Sequence, residues 1–306
     1  MLSVDKRYAK GVIYAVLSSI TFGLIPLFTV PLLRVGIGAE TILFYRFMFA
    51  ALMMVGVVWL KHYDMKISFS QLKVVFGLSV LYAITAILLI ESYKAIPSGI
   101  ATTIHFLYPL AVTLIMSWFY GEQSSKITYM ALAVSVIGVL LLAWGSHDGG
   151  DFRIGVLLAL GTVVSYALYI VGVMNSRASQ LDPLILTMYV LLICAVLFFV
   201  YAILTTGIEP IRSYVEWRDL IMVALVSTLV SDYTLVLAIK NIGSTMTSIL
   251  GSMEPMTAVV IGVIYFGEHF DLVSIAGVIL IIVAVVMVIV QGGQQRHIIT
   301  KEDSRD

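Results

Sequence analysis

Ten apolar stretches, each about one bilayer crossing long, follow one another along this chain with only short polar breaks between them. They fall at about 11–33, 39–60, 72–93, 98–120, 126–145, 153–174, 184–206, 217–239, 244–266 and 271–291. A helix needs about 20 apolar residues to cross a hydrocarbon core of about 30 Å. In lipid only helices and closed barrels satisfy every backbone polar group. Barrel strands are about 10 residues long and alternate in polarity, and these runs do neither. The expectation is therefore an all-α membrane protein of ten transmembrane helices. A hydrophobic share of 60%, a charged share of 12% and a mean hydropathy of +1.04 lie far outside the range of a soluble domain. The breaks are too short to hold a separate extramembrane domain.

The few charges orient the bundle. With the N-terminus inside, the cytoplasmic segments hold Lys6, Arg7, Lys10, Lys61, Lys66, Lys73, Lys126, Arg177, Lys240, Arg296, Lys301 and Arg305. The outer segments hold Arg34, Lys94, Arg153, Arg212 and Arg218. That imbalance predicts both termini in the cytoplasm of a cell-membrane protein, which requires an even number of spans. No cleavage site follows the basic N-terminus, so the first run reads as a retained helix. Zero net charge says nothing about a nucleic-acid partner, but no basic block appears and no such partner is expected. The single cysteine, Cys194, reads as a small buried hydrophobe.

The runs are also duplicated. Lys94–Glu122 (KAIPSGIATTIHFLYPLAVTLIMSWFYGE) returns as Lys240–Glu268 (KNIGSTMTSILGSMEPMTAVVIGVIYFGE) at a constant offset of 146 residues. Lys94, Ile96, Ser98, Pro109 and Gly121-Glu122 all find identical partners without a gap. More weakly, Gly11–Ala15 resembles Gly155–Ala159 at an offset of 144. This divides the chain into a first five-helix repeat (1–147), a second (148–292) and a cytoplasmic tail (293–306). Five spans is an odd number, so the second repeat must enter from the opposite side. Inverted repeats place a pseudo-two-fold axis in the membrane plane and make two oppositely open conformations accessible.

FYRFMFAAL (Phe44–Leu52), FLYPLAVTLIMSWFYGE (Phe106–Glu122) and MEPMTAVVIGVIYFGE (Met253–Glu268) carry a family resemblance. Together they resemble the drug/metabolite transporter superfamily, in particular its EamA-like members, over essentially the whole chain. The resemblance implies a ten-helix bundle in a cytoplasmic membrane that moves small metabolites, often outward. Substrates in that family range over amino acids, sugars, nucleotide sugars and drugs, so the cargo stays open.

Ionisable groups at membrane depth cost about 2.5–3.5 kcal/mol on insertion scales, and those that persist face a cavity or a partner. Glu254 lies in the ninth run directly before Pro255, which leaves the carbonyl of Gly251 without its helical donor. Thr247, Gly251 and Glu254 share one face at helical spacing. This reads as a cavity-lining break or as a structural kink with Glu254 bonded to a neighbour. In the first repeat Pro109 frees the carbonyl of His105, Tyr108 stands at the position of Glu254, and His105 at that of Gly251. A duplicated frame with different polar groups suits an asymmetric ligand. An imidazole near its reference pKa would also couple transport to protons, the only cofactor-like partner expected. Asp232 sits in the eighth run. Arg46, in the second, reads as a snorkelling or acid-paired cation, or as a ligand contact. Glu91 and Lys94 read as an interfacial pair. Tyr82, Tyr108, Tyr166, Tyr169, Tyr189 and Tyr233 fall mid-run, and rings with a few polar groups suit a small organic ligand, although packing explains any single one. Tyr14, Tyr63 and Tyr214 read as interfacial anchors.

These residues predict a substrate site at the midplane made by His105, Tyr108, Glu254, Asp232, Tyr82, Tyr166, Gly251, Thr247 and Arg46. The fourth and ninth runs form it, with the first, third, sixth and eighth contributing. There is no G-x-x-x-x-G-K-[ST] phosphate loop, H-E-x-x-H or G-x-S-x-G, and the five histidines are scattered. A secondary transporter therefore leads over an enzyme, with a passive channel or sensory scaffold as the alternative. Bilayer lipid and a small-molecule substrate are the partners expected, and oligomeric state is open.

Overall fold

A computed structural model of the chain describes residues 2–121, 126–144, 150–251, 253–268, 271–273, 275–284 and 286–287. Glu122, His147, His269 and the tail lie outside these residues. Among the described residues the backbone is almost wholly helical, with no strand. Seven segments are long and apolar enough to cross a membrane: Arg7–Arg34, Ala39–Leu60, Phe69–Ala95, Ser98–Tyr120, Asp151–Asn175, Pro183–Leu204 and Tyr214–Ser244. Shorter apolar helices, Tyr129–Gly138, Met253–Phe266 and Ile275–Ala284, lie in the remaining runs.

In chain order the helices are α1 (Leu2–Gly23), α2 (Ile25–Arg34), α3 (Ala39–Leu60), α4 (Phe69–Ala95), α5 (Ser98–His105), α6 (Tyr108–Tyr120) and α7 (Lys126–Trp144). They continue as α8 (Gly150–Asn175), α9 (Pro183–Leu204), α10 (Tyr214–Ala224), a π-helical stretch (Leu225–Val230), α11 (Ser231–Leu250), α12 (Met253–Phe266) and α13 (Ile275–Ala284). Local chemistry sets several starts. Ser68 with Gln71 and Ser213 with Glu216 form capping boxes on α4 and α10. Asp182 caps α9 by accepting from the Leu184 N–H at 2.8 Å, with Pro183 just inside.

Three apolar runs are interrupted where proline withdraws a backbone donor. Before Pro109 the chain turns at Phe106–Leu107, where Leu107 N–H reaches back only to Ile104 O, at 3.0 Å. Before Pro255 the Glu254 N–H donates to Gly251 O at 2.9 Å, three residues back. The third break, at Leu24 before Pro26, was not expected from the sequence, which reads 11–33 as one run. A further kink at Gly243, with φ +84° and ψ 164°, turns α11 from the eighth run into the ninth. Glycine alone adopts that conformation without strain.

Lipid tails are as apolar as leucine, so helices in a bilayer associate through close packing and interhelical hydrogen bonds. The most extensive contacts here join α1 to α11, α3 to α9 and α4 to α8, while α5 crosses α12. Two close approaches match each other. A Cβ on Gly11 of α1 would lie 2.5 Å from Ile242 Cγ2 and 3.0 Å from Asn241 Cβ. A Cβ on Gly155 of α8 would lie 2.7 Å from Ile96 Cγ2 and 3.0 Å from Ala95 Cβ. Gly11 and Gly155 are equivalent at the offset of 144, and Ala95-Ile96 and Asn241-Ile242 at 146. Large apolar side chains such as Leu52, Trp118, Leu157 and Ile264 point away from the bundle.

Candidate functional site

The two proline breaks meet inside the bundle. His105 is the last residue of α5 and Glu254 the second of α12, and the crossing of these half-helices sets His105 Nε2 3.6 Å from Glu254 Oε1. Both side chains are buried, at 0% and 2% exposure. That distance is within ion-pair range when the imidazole is protonated, and it is longer than a formed hydrogen bond. Gly23 lets α1 pass this point, since a Cβ there would meet Glu254 O at 2.7 Å and Thr257 Cβ at 2.8 Å.

Aromatic rings enclose the pair. Phe22 stacks on the His105 imidazole at 5.9 Å, and Tyr166 and Tyr108 lie 5.0 and 5.3 Å from it. Tyr108 meets Tyr166 edge-on at 4.8 Å. The wall continues through Tyr82, 6.3 Å from Tyr166, and Tyr169, 5.0 Å from Tyr82. At its far end the Tyr82 hydroxyl donates to Asp232 Oδ1 at 2.5 Å. Among the described residues, Asp232 Oδ2, Glu254 Oε1 and His105 Nε2 are buried without a hydrogen-bond partner. Buried polar atoms are normally paired, so each such atom calls for an explanation.

Hydroxyls tie the surrounding helices together. Ser18 and Ser231 exchange hydroxyl-to-carbonyl bonds of 2.9 and 3.1 Å between α1 and α11, next to Asp232. Thr85 and Ser165 join α4 to α8 at 2.7 Å. Arg46 is 1% exposed and donates from Nε to Thr228 Oγ1 at 2.6 Å. Thr228 passes its own hydrogen to Val223 O at 2.8 Å, five residues back, across the π-helical stretch. Arg46 thus neither snorkels nor forms an ion pair among the described residues.

Two expected features are corrected. The Gly251 carbonyl is not free: it accepts from Ser19 Oγ at 2.8 Å and from the Glu254 N–H. Thr247 does not share a continuous helical face with Glu254, because α11 ends at Leu250; its hydroxyl donates to Gly243 O at 2.7 Å. Among the tyrosines, Tyr189 is bonded to Met65 O at the periphery and Tyr233 is half-buried away from the ring cluster. Lys94 and Glu91 form the expected pair at 2.8 Å. His105, Tyr108, Tyr166, Tyr82, Asp232 and Glu254 come together. Phe22, Ser19 and Thr162 join them without having been singled out, although hydroxyls within apolar runs were a usable signal.

A cavity of about 480 Å3 opens between the ends of α2, α4 and α12, lined in part by Arg34, Tyr93, Lys94, Ser98 and Glu268. On its wall the Tyr93 hydroxyl contacts Thr102 Oγ1 at 3.2 Å, one turn before His105. Glu268 closes one side by accepting from Ser98 N–H, Ser98 Oγ–H and Gly99 N–H.

A bundle of apolar helices, broken where buried acids and an imidazole face one another, defines a multi-pass membrane protein with a polar site in its interior. The sequence model of the EamA-like transporter family matches residues 9–144 and again 153–290. The chain belongs to this family, within the drug/metabolite transporter superfamily. It is similar to "Uncharacterized transporter sll1319" of Synechocystis sp., 25% identical over 67% of this chain and 63% of that one. It is also similar to "Uncharacterized transporter YvbV" of Bacillus subtilis, 26% identical over 61% of each. These matches thus span just over three fifths of the relatives' length. A solved structure described as "Crystal structure of protein" shares the fold at a TM-score of 0.68 and 14% identity, over 92% of this chain and 97% of its own.

Proposed function

We propose that this chain is a secondary transporter carrying a small organic metabolite, such as an amino acid, outward across the cytoplasmic membrane by alternating access. Ten spans in two oppositely oriented five-helix repeats, 1–147 and 148–292, form its moving parts, with both termini in the cytoplasm. The double match to the family model and the paired approaches at Gly11 and Gly155 support the two-repeat reading. The observation that carries the function is the crossing of two interrupted helices at His105 and Glu254 inside an aromatic wall. Broken helices at membrane depth are tolerated where they are buried in protein or line a cavity, and transporters bind substrate at such points.

Reconstitution in liposomes with pooled labelled amino acids and other metabolites tests this. Saturable flux is expected in the parent, with Glu254→Gln and His105→Ala impaired at unchanged membrane insertion. Parental rates in both variants would sink the site assignment, and flux that does not saturate would favour a passive channel.

A further inference from the structure

Thr162 determines which nitrogen of His105 carries hydrogen. The Thr162 hydroxyl has one hydrogen, and it is committed to Ala159 O at 2.5 Å. The 2.7 Å contact between Thr162 Oγ1 and His105 Nδ1 therefore has its hydrogen on Nδ1. Nε2 is left either as a bare lone pair or as the second N–H of an imidazolium, and it faces Glu254 Oε1.

Three proton counts are possible for the pair. With none, a lone pair and a carboxylate anion oppose each other in a buried site with no donor between them. With two, an imidazolium faces a neutral acid, leaving a net positive charge away from water. With one, the pair is neutral overall, either as imidazolium and carboxylate or as imidazole and carboxylic acid. Isolated buried charge is strongly disfavoured, so the one-proton state wins. The half-helix ends assist it, because α5 presents its C-terminus at His105 and α12 its N-terminus at Glu254. Those ends favour a cation and an anion respectively.

Among the described residues the other bases near the pair are engaged elsewhere. Tyr93 of α4, Tyr108 of α6 and Tyr166 of α8 lie within electrostatic reach of Glu254. From α1 come Ser19 and Phe22, which do not titrate in this range. The titratable group of α2, Arg34, sits at its far end over the Phe266 ring at 4.9 Å. Asp232 of α11 is held by Tyr82 of α4, and Arg46 of α3 acts electrostatically on that second cluster. Among the described residues Glu254 has one ion-pair partner, His105.

We propose that His105 and Glu254 together form a binding site for a single exchangeable proton, which serves as the coupling ion of the transporter. The coupling role rests on the function proposed above, whereas the proton site stands on geometry alone. Release of the proton leaves one net negative charge among the aromatic rings, so the two states of the pair present different electrostatics to a cargo. Tyr93, which lines the open cavity, contacts Thr102 Oγ1 at 3.2 Å, one helical turn before His105.

The test needs no cargo. The full-length protein with 15N-labelled histidine, in lipid nanodiscs, is titrated while the His105 ring nitrogens are followed by NMR, assigned by loss in His105→Gln. Nδ1 is expected to stay protonated throughout, with the pair's single titration reported at Nε2, either by its own protonation or by that of the facing Glu254. Glu254→Gln should move the midpoint by about 1–3 pH units, the size expected when a charge within about 4–6 Å is removed. Should that variant fold poorly, Glu254→Asp, which keeps the acid but withdraws it, is expected to move the same midpoint. An unprotonated Nδ1, or a midpoint indifferent to both substitutions, overturns the proposal. Saturable metabolite flux with an indifferent midpoint would remove the proton site and keep the transporter. A coupled titration without flux for any pool would do the reverse.

Discussion

Glu268→Ala removes one acceptor from three donors at once. The carboxylate takes Ser98 N–H at 2.8 Å, Ser98 Oγ–H at 2.7 Å and Gly99 N–H at 3.2 Å. Two of these donors are orphan N–H groups in the first turn of α5, which no intrahelical carbonyl can satisfy. Hydrogen bonds to a charged group contribute about 1.5–3 kcal/mol each in net terms, but the three share one carboxylate and border an open cavity where water substitutes. A total of about 2–4 kcal/mol is the reasonable expectation after that discount. Glu268→Gln keeps one oxygen for Ser98 and turns an amide N–H toward Gly99, so about half the loss should remain. Gly262→Ala probes the same contact from behind, because a Cβ there would press on Glu268 Oε2. Reversible unfolding of purified protein in mixed micelles measures all three, and the order expected is Ala, then Gln, then the glycine variant. Because both substitutions remove the same Ser98 Oγ–H to Glu268 Oε1 bond, Ser98→Ala combined with Glu268→Ala should be less destabilising than the sum of the two. Parental stability for Glu268→Ala, or strict additivity, would refute the claim that this carboxylate fastens the start of α5 to the end of α12.

Gly11→Val and Gly155→Val should each destabilise by about 1–3 kcal/mol through overpacking, since both approaches leave no room for a side chain. Gly56→Ala, with nothing within 4 Å of its added methyl, should be neutral or mildly stabilising in the same unfolding assay. Tyr82→Phe removes the donor to Asp232 Oδ1 while Oδ2 already lacks a partner, so about 1–3 kcal/mol should be lost. A double-mutant cycle with Asp232→Asn should recover part of it, and no recovery would argue against that bond.

Helical membrane class, the positions of seven spanning runs and family were legible because they rest on length, apolarity and a gapless internal repeat, which need no tertiary information. The breaks at Pro109 and Pro255 were legible for the same local reason, a missing N–H. Pro26 acts identically but sits in a run with no polar residue beside it, so nothing distinguished a break from a tolerated kink. The carbonyl of Gly251 looked free because its partner, Ser19, is 232 residues away in sequence. Arg46 misled in the same way: its length and charge suggest snorkelling, whereas Thr228 on a π-helical stretch holds it inside. Single candidates such as His105 and Glu254 could be picked from cost alone. That they face each other follows only from how α5 crosses α12.

That crossing also bears on direction. At the offset of 146, His105 corresponds to Gly251 and Tyr108 to Glu254, so each half-helix pair carries only one polar member. Glycine makes no side-chain contact, and an ordinary tyrosine hydroxyl, with a reference pKa of about 10, does not ionise near neutrality. In an inverted-repeat machine with identical chemistry in both halves, the two open conformations would differ little in energy. Here the frame is repeated and the chemistry is not: the imidazole belongs to the first repeat and the carboxylate to the second. If the two halves move against each other as proposed, the His105–Glu254 contact is one of several between them that would change, and it has no counterpart at the equivalent positions. On the proton site proposed above, a bound proton would stabilise whichever conformation holds the two groups together, and its loss would relax that preference.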